Sequence, residues 1–334
     1  MGTQFGFAAS GKWKSAVMLG LLACLLTFTA SCAVERHSNP GSSDGGWQPW
    51  QILETQTGRT LPFSEWIKDL ERHDIVYLGE EHHNPSHIQA ALKVLDQLVA
   101  DGIDPTIGME MFGWDGQQAL DGYISTTQPV TNEFLEQVRW KQNWGGAFED
   151  YAPLVTFARD HRISVRAMNP PKPLVRRVVK LGLDQAKQEP EWADWEILQE
   201  DIVDDPAYRE RIVDQLRRCH GGTEEHYRTM YEASMVRDEG MAKTLAIRQE
   251  ELRRAGGVRH IIVSYTGGGH VQYNLPVPKR VARRLGGAVK QVTVYMVSFD
   301  ASRTDDVRAL LREPIADYIW LTPMGKRQPS QPCR

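Results

Sequence analysis

The sequence predicts an α/β protein: a mostly parallel sheet with helices on both faces and a large helical insertion. Short apolar runs of the buried-strand type recur along the 334 residues. Segments with apolar residues at spacings of three and four separate them. A long, charged stretch of helical pattern interrupts the series before its last two strands. Strands that alternate with helices need crossover connections, which give parallel pairing and cover both faces of the sheet.

The N-terminal thirty or so residues stand apart. Lys12 and Lys14 precede an uncharged run from Ala16 to Ala30, then Ser31 and Cys32, the order of a secretory signal peptide. The run is shorter than the ~20 residues of a spanning helix. Thr29-Ala30-Ser31-Cys32 resembles a bacterial lipobox, with Thr where Leu is usual. Residues 1–31 are therefore expected to be a lipoprotein-type signal peptide and Cys32 the lipidation site, with ordinary secretion as the alternative. Cleavage at Cys24 would leave Leu25-Leu26-Thr27-Phe28 outside. A multiply acylated N-terminus anchors firmly where one chain alone is marginal. Ala33 follows Cys32 without the acidic residue associated with inner-membrane retention. The expected place is the cell envelope, at the outer membrane facing the periplasm. Residues 32–47 read as a flexible tether, 48–325 as one α/β domain, and 326–334 as a flexible tail.

Cut at Cys32, 303 residues remain and the formal net charge moves from −4 to −6. Nothing in that balance points to nucleic acid. Cys219 and Cys333 would be the unmodified cysteines left, too few for a disulfide scaffold, and Cys333 lies in the tail. No Cys-x-x-Cys supports a zinc ribbon or thiol redox centre.

Ile75–Leu78 opens the domain as a buried strand. Pro85 or Ser86 starts a helix with Ile88, Ala91, Leu92, Leu95, Leu98 and Val99 on one face, closed by Asp101-Gly102. Thr106–Met111 is the second strand, followed by a polar, aromatic insertion from Trp114 to Trp144. A helix over Ala152–Asp160 leads to the third strand, Ile163–Met168, which Asn169-Pro170-Pro171 ends. The large insertion, about 172–256, contains three or four helices broken near Glu189-Pro190, Asp205-Pro206 and Gly221-Gly222. His260–Tyr265 is the fourth strand and Val292–Val297 the fifth.

This order gives meaning to "VYLGEEHHNPSHI", Val76 to Ile88. Alone it is a polar loop or a metal or cofactor site. Glu80, Glu81, His82 and His83 follow strand one, Glu110 ends strand two, Asn169 ends strand three, and Gly267-Gly268-Gly269-His270 follows strand four. In an open parallel sheet the carboxyl ends of the strands share one edge, where ligands bind. Four segments would thus bring metal-ligating and acid–base groups to one place. The glycines permit tight turns and close approach of a ligand. The triple glycine lacks the spacing and Lys of a P-loop. Pro85 separates His83 from His87, unlike the two histidines of a His-Glu-x-x-His zinc helix, so His87 reads as a first-turn helix residue.

The paired segments Gly79-Glu80-Glu81-His82 and Gly267-Gly268-Gly269-His270 resemble the Tiki/ChaN superfamily, and within it the ChaN-like haem-binding lipoproteins. "GMEMF", "YAPLVTFAR", "VRAMNPP" and "GGGHVQYNLPVPKRV" carry the likeness further, in order along most of the chain. The resemblance implies a lipoprotein of iron and haem uptake, whose homodimer encloses haem between protomers and which serves an outer-membrane haem receptor. It implies a tyrosine axial ligand with His and Glu nearby; tyrosinate suits ferric haem. Tyr151 is the candidate, Tyr123 and Tyr265 its rivals, with Glu80, His82, His83 and His270 around the haem. No Cys-x-x-Cys-His is present, so covalent c-type attachment is excluded. Trp114, Trp140, Trp144 and Phe148 are candidates to wall the porphyrin or to fill the core. The superfamily also implies an alternative, a metal-dependent protease or esterase. There Glu80, His82, Glu110 and His270 would hold a divalent ion with an open position for water. A non-catalytic surface module would leave these groups without a purpose.

Overall fold

Alternation along the strands decides which helices cover which face. The computed structural model describes residues 46–193, 202–219 and 221–325. The strands are β1 (Ile52–Glu54), β2 (Thr60–Leu61), β3 (Ile75–Glu80), β4 (Asp104–Gly113), β5 (Ser164–Asn169), β6 (His260–Gly267), β7 (Gln291–Phe299) and β8 (Tyr318–Pro323). They form one sheet in the order β2-β1-β8-β7-β3-β6-β4-β5. From β8 to β5 every pairing is parallel, and β1 runs antiparallel to both β8 and β2.

Val76, Leu78, Ile107 and Met109 point to one face, where they pack with Trp66, Val94, Leu98 and Leu154. These come from the helices Phe63–Leu70, Pro85–Ala100 and Ala152–Asp160. Ile75, Tyr77 and Ile262 point to the other face and meet Met241, Leu245 and Val281 from the helices Glu224–Ala255 and Val277–Arg284. With both faces covered, the strands read as continuous apolar runs.

The five strands expected from the sequence are β3 to β7, each observed somewhat longer or shifted by a residue. The additions, β1, β2 and β8, lie toward one end of the sheet. Trp47, placed at the end of the tether, is already buried with Leu53 and Ile319. The leader, Cys32, the tether up to residue 45, Cys333 and the tail lie outside the described residues.

The large insertion is helical, with Lys172–Leu181, Leu183–Ala186, Pro190–Ala193, Pro206–Cys219 and Glu224–Ala255. Pro190 and Pro206 stand first in their helices, where the missing N–H is no loss. Thr223 caps the longest helix by accepting the His226 N–H at 3.2 Å. The segment from Trp114 to Trp144 folds as short helices, among them Gln117–Ile124 and Asn132–Gln137.

One buried charge fixes the long helix to its neighbour. Glu239 is 0 % exposed, and its carboxylate meets Arg280 at 3.2 Å and Arg283 and Arg284 at 2.8 Å each. Removing one partner of a buried ion pair strands the other charges, at a cost of about 3–5 kcal/mol. Glu239→Gln, which keeps the shape, is expected to lower stability by that order in thermal or denaturant unfolding.

Candidate functional site at the carboxyl edge of the sheet

Glu80 ends β3 with its carboxylate buried. It accepts hydrogen bonds from Tyr151 Oη at 2.8 Å and Tyr265 Oη at 2.7 Å, and His82 Nδ1 lies 2.8 Å away. Burial raises its pKa; His82 and the two phenols offset only part of that rise. Burial works against a charge on His82, yet its bond to Glu80 and the charge of Glu110 leave its pKa raised.

The turn carrying these groups is pinned on several sides. Glu81 accepts the Ser298 N–H at 3.2 Å, bonds the Ser298 hydroxyl, and pairs with Arg303 at 3.4 Å. His83 takes the left-handed conformation, φ 62°. Asn84 caps the next helix by accepting the Ser86 N–H at 2.9 Å, and donates to Ser298 Oγ at 2.7 Å. His87 sits in the first helical turn, as expected, and its Nδ1 accepts the Glu81 N–H at 2.9 Å. Burial pushes its pKa down to about 3, so it is neutral.

Glu110 lies where the pairing of β4 with β5 shifts register between Met109 and Gly113, an irregularity of the kind that re-aims side chains. Its carboxylate accepts the Gly267 N–H at 2.5 Å and Thr266 Oγ1 at 2.7 Å, pairs with Arg237, and lies 3.4 Å from His270 Nε2. Asn169 Nδ2 donates to the Glu110 carbonyl at 2.6 Å. His270 Nδ1 meets Asp238 at 2.6 Å, and Tyr208 Oη donates to Asp238 at 2.6 Å. Burial alone would raise the Glu110 carboxyl; His270 and Arg237 hold it well below the usual range. Burial would likewise depress His270, but Glu110 and Asp238 carry it up to about 9. Glu110 and Asp238 thus face His270 and Arg237 across this part of the edge.

The two clusters meet over Gly267. A Cβ there would come within 2.9 Å of His82 Nε2 and 3.3 Å of Glu110 Oε2. Gly79 is equally confined, since its Cβ would fall 2.6 Å from Val271 and 3.1 Å from the Gly268 backbone. At both glycines the close approach is made by the chain itself, where the sequence suggested a ligand. Beside this edge lies a cavity of about 360 Å³ whose lining includes His82, His83, Trp144, Val175, Val179 and Arg237. Trp144 sits edge-on to His82, with ring centroids 4.9 Å apart. His83 Nδ1 is 2.7 Å from Asp150.

The expected convergence of Glu80, His82, Glu110, Asn169 and His270 on one edge is therefore present, but several roles change. Tyr151 is 0 % exposed and does not line the cavity. Its hydroxyl donates to Glu80 and accepts the His83 N–H at 3.1 Å, and burial with the Glu80 charge pushes its pKa up, away from tyrosinate. Tyr265 is buried on the same carboxylate, and Tyr123 receives Arg159 at 3.0 Å beside a different groove. His270 faces carboxylates with both ring nitrogens, so neither is free for iron. Of the four aromatics, Trp144 lines the cavity, while Trp140 and Phe148 belong to the core and Trp114 donates to Thr244 Oγ1 at 3.0 Å. Glu80, His82, Glu110 and His270 do not make a metal set: among the described residues no three His, Cys, Asp or Glu are grouped to hold an ion. Their carboxylates are taken by phenols, hydroxyl, amide and guanidinium.

Arg237, Asp238 and Tyr208 reach the site from the insertion, and Asp150 from the short turn Phe148–Asp150 that precedes the helix Ala152–Asp160; none of the four stands out in the sequence as a site residue. One signal existed. Arg237-Asp238-Glu239 interrupts a helical stretch otherwise flanked by Met235, Val236, Met241 and Ala242, all buried.

Residues 66–281 match the family described as haem-binding uptake, Tiki superfamily, ChaN. The chain belongs to the ChaN family. The match contains every site residue from Glu80 to His270. Among solved structures, ChaN of Campylobacter jejuni, described with cofacially bound haem, aligns with TM-score 0.59 at 17 % identity, over 80 % of this chain and 95 % of that one. An erythromycin esterase, EreC, in its open conformation aligns with TM-score 0.41 at 14 % identity, over 74 % of this ChaN-family chain and 76 % of the esterase. No curated protein matches the sequence.

The His270 charge gives stability a pH dependence of definite sign. Its folded pKa of about 9 lies above the ordinary 6.5, so its contribution is whole below about pH 6.5 and is lost as pH climbs through about 9. Thermal melts across this range should show the wild-type melting temperature falling with pH. His270→Gln should start lower and fall less.

Proposed function

We propose that this chain binds haem in iron and haem acquisition, with the macrocycle seated in the cavity beside His82 and His83. The observation that carries the reading is common to both imidazoles. Each has Nδ1 held by a carboxylate, Glu80 at 2.8 Å and Asp150 at 2.7 Å, and neither Nε2 has a hydrogen-bond partner among the described residues. Metal-ligating histidines are oriented in this way. Trp144, Pro170, Val175 and Val179 add an apolar wall fit for a porphyrin face. Haem would bring a ferric iron that takes an axial ligand from the protein. The geometry favours an imidazole over the Tyr151 phenol, which would have to leave Glu80 and ionise against its burial. Tyr151 instead holds Glu80, and Glu80 holds His82.

The His82 side chain is 43 % exposed, and the cavity lies near the small end of the ~300–1,000 Å³ typical of ligand sites. A bound macrocycle would keep one face uncovered. A second copy of the chain would cover it, bringing two macrocycles face to face; cofacial haem binding is what is described for Campylobacter ChaN. Hemin titration of the purified protein should give an imidazole-ferric spectrum and, by light scattering, a doubling of mass. The spectrum should be lost in His82→Ala or His83→Ala and kept in Tyr151→Phe. A tyrosinate spectrum lost in Tyr151→Phe assigns the iron to the phenol, and the spectrum of free hemin defeats the haem reading.

A metal-dependent protease or esterase is the second reading. The Glu80–His82 and Asp238–His270 pairs favour it as acid–base groups, while the engaged carboxylates count against a bound ion. Cleavage elicited by added divalent metal and lost in His270→Ala would carry it.

We also infer that the chain is anchored through lipidated Cys32 at the outer membrane, facing the periplasm, where an outer-membrane haem receptor would be its partner. The support is the basic–apolar–small order of the leader and the Cys that ends it. Cys32→Ala should move the protein from the membrane to the soluble fraction on cell fractionation; a membrane-bound variant would refute the anchor.

A further inference from the structure

The cavity that carries His82 and His83 is also lined by Lys172, Arg176 and Arg237. Arg237 is neutralised by Glu110. Lys172 and Arg176 are not: among the described residues neither has a carboxylate partner, and the Lys172 ammonium donates only to the Trp144 carbonyl, at 3.2 Å. Their neighbour Arg177, which does not line this cavity, lies 3.8 Å from Glu189. Lys172 and Arg176 are four apart on the helix Lys172–Leu181, so their like charges repel rather than support it. Burial, then the charges of Arg176 and Arg237, hold the Lys172 pKa below its ordinary value. Lys172 and Arg176 thus place two cations without a carboxylate partner among the described residues, about one helical turn apart, on the lining of a partly apolar cavity. Such an arrangement is complementary to an anionic edge, and a guanidinium in particular matches carboxylate in two-point fashion.

We propose that Lys172 and Arg176 form a dicarboxylate subsite, taking two carboxylates carried side by side on one edge of a planar ligand whose body lies along Trp144, Val175 and Val179. The inference rests on the haem reading, in which these are the two propionates, and it assigns the orientation of the macrocycle: propionate edge toward the start of the helix Lys172–Leu181, iron toward the imidazoles.

The test compares hemin with hemin dimethyl ester, using quenching of tryptophan fluorescence for affinity and the Soret band for ligation. In Lys172→Ala/Arg176→Ala the hemin Kd should rise on the order of tenfold per cation removed, with the Soret position unchanged. The ester should bind wild type about as weakly as hemin binds the double variant. Lys180→Ala removes the same charge from an exposed site on that helix, away from the cavity, and should leave the hemin Kd unchanged. A double variant that binds hemin as tightly as wild type, an ester as tight as hemin, or an equal loss in Lys180→Ala overturns the subsite and leaves the haem reading standing. Hemin that fails to bind wild type overturns both.

Discussion

Glu80 and Glu110 are buried carboxylates at the ends of β3 and β4, with β6 between them. An ion taken out of water costs several kcal/mol unless hydrogen bonds and opposite charges replace its hydration. The partners that satisfy these two come from the turn after β3, the end of β6, the start of the helix Ala152–Asp160 and the middle of the helix Glu224–Ala255. Segments more than a hundred residues apart are drawn to one edge by that requirement. It also explains why the insertion is more than a cover, since Arg237 and Asp238 complete the charge balance from within it.

The two carboxylates are satisfied in different ways, and the difference divides the labour of the histidines. Around Glu80 the phenols of Tyr151 and Tyr265 are neutral donors, so burial prevails and its pKa is raised. Around Glu110 the partners include His270 and Arg237, and the carboxyl is held low despite burial. His270 is consequently a charged structural member of the edge. His82 and His83 are each anchored through Nδ1, by Glu80 and Asp150, with no hydrogen-bond partner at Nε2 among the described residues.

Much of this fold was legible because period and punctuation act locally. β3 to β7 announce themselves as apolar runs ended by Gly, Asn or Pro, and Pro190, Pro206 and Thr223 mark helix starts whatever surrounds them. β1 and β2, of three and two residues, are too short to carry a period; β1 exists because β8 offers an edge to pair with, and β2 pairs with β1 in turn. β8 itself, an apolar run near the end of the chain, went unread. The ends of the strands pointed to the site as a place, since parallel topology alone gathers them.

What each residue does there could not be read in the same way. Tyr151 stands in a stretch where the family resemblance implies an iron ligand, yet the packing of Trp144 and His83 against it and its bond to Glu80 make it a buried hydrogen-bond donor. The sequence by itself determined the architecture, the shared edge and the residue types assembled on it, because hydrophobic period, proline and glycine constrain the backbone wherever they occur. Only the tertiary structure decided which imidazoles are held through Nδ1 alone, which carboxylates are engaged and, among the described residues, which cations lack a carboxylate partner. Those properties depend on burial and on distances of a few ångströms between segments that have no sequence relation to one another.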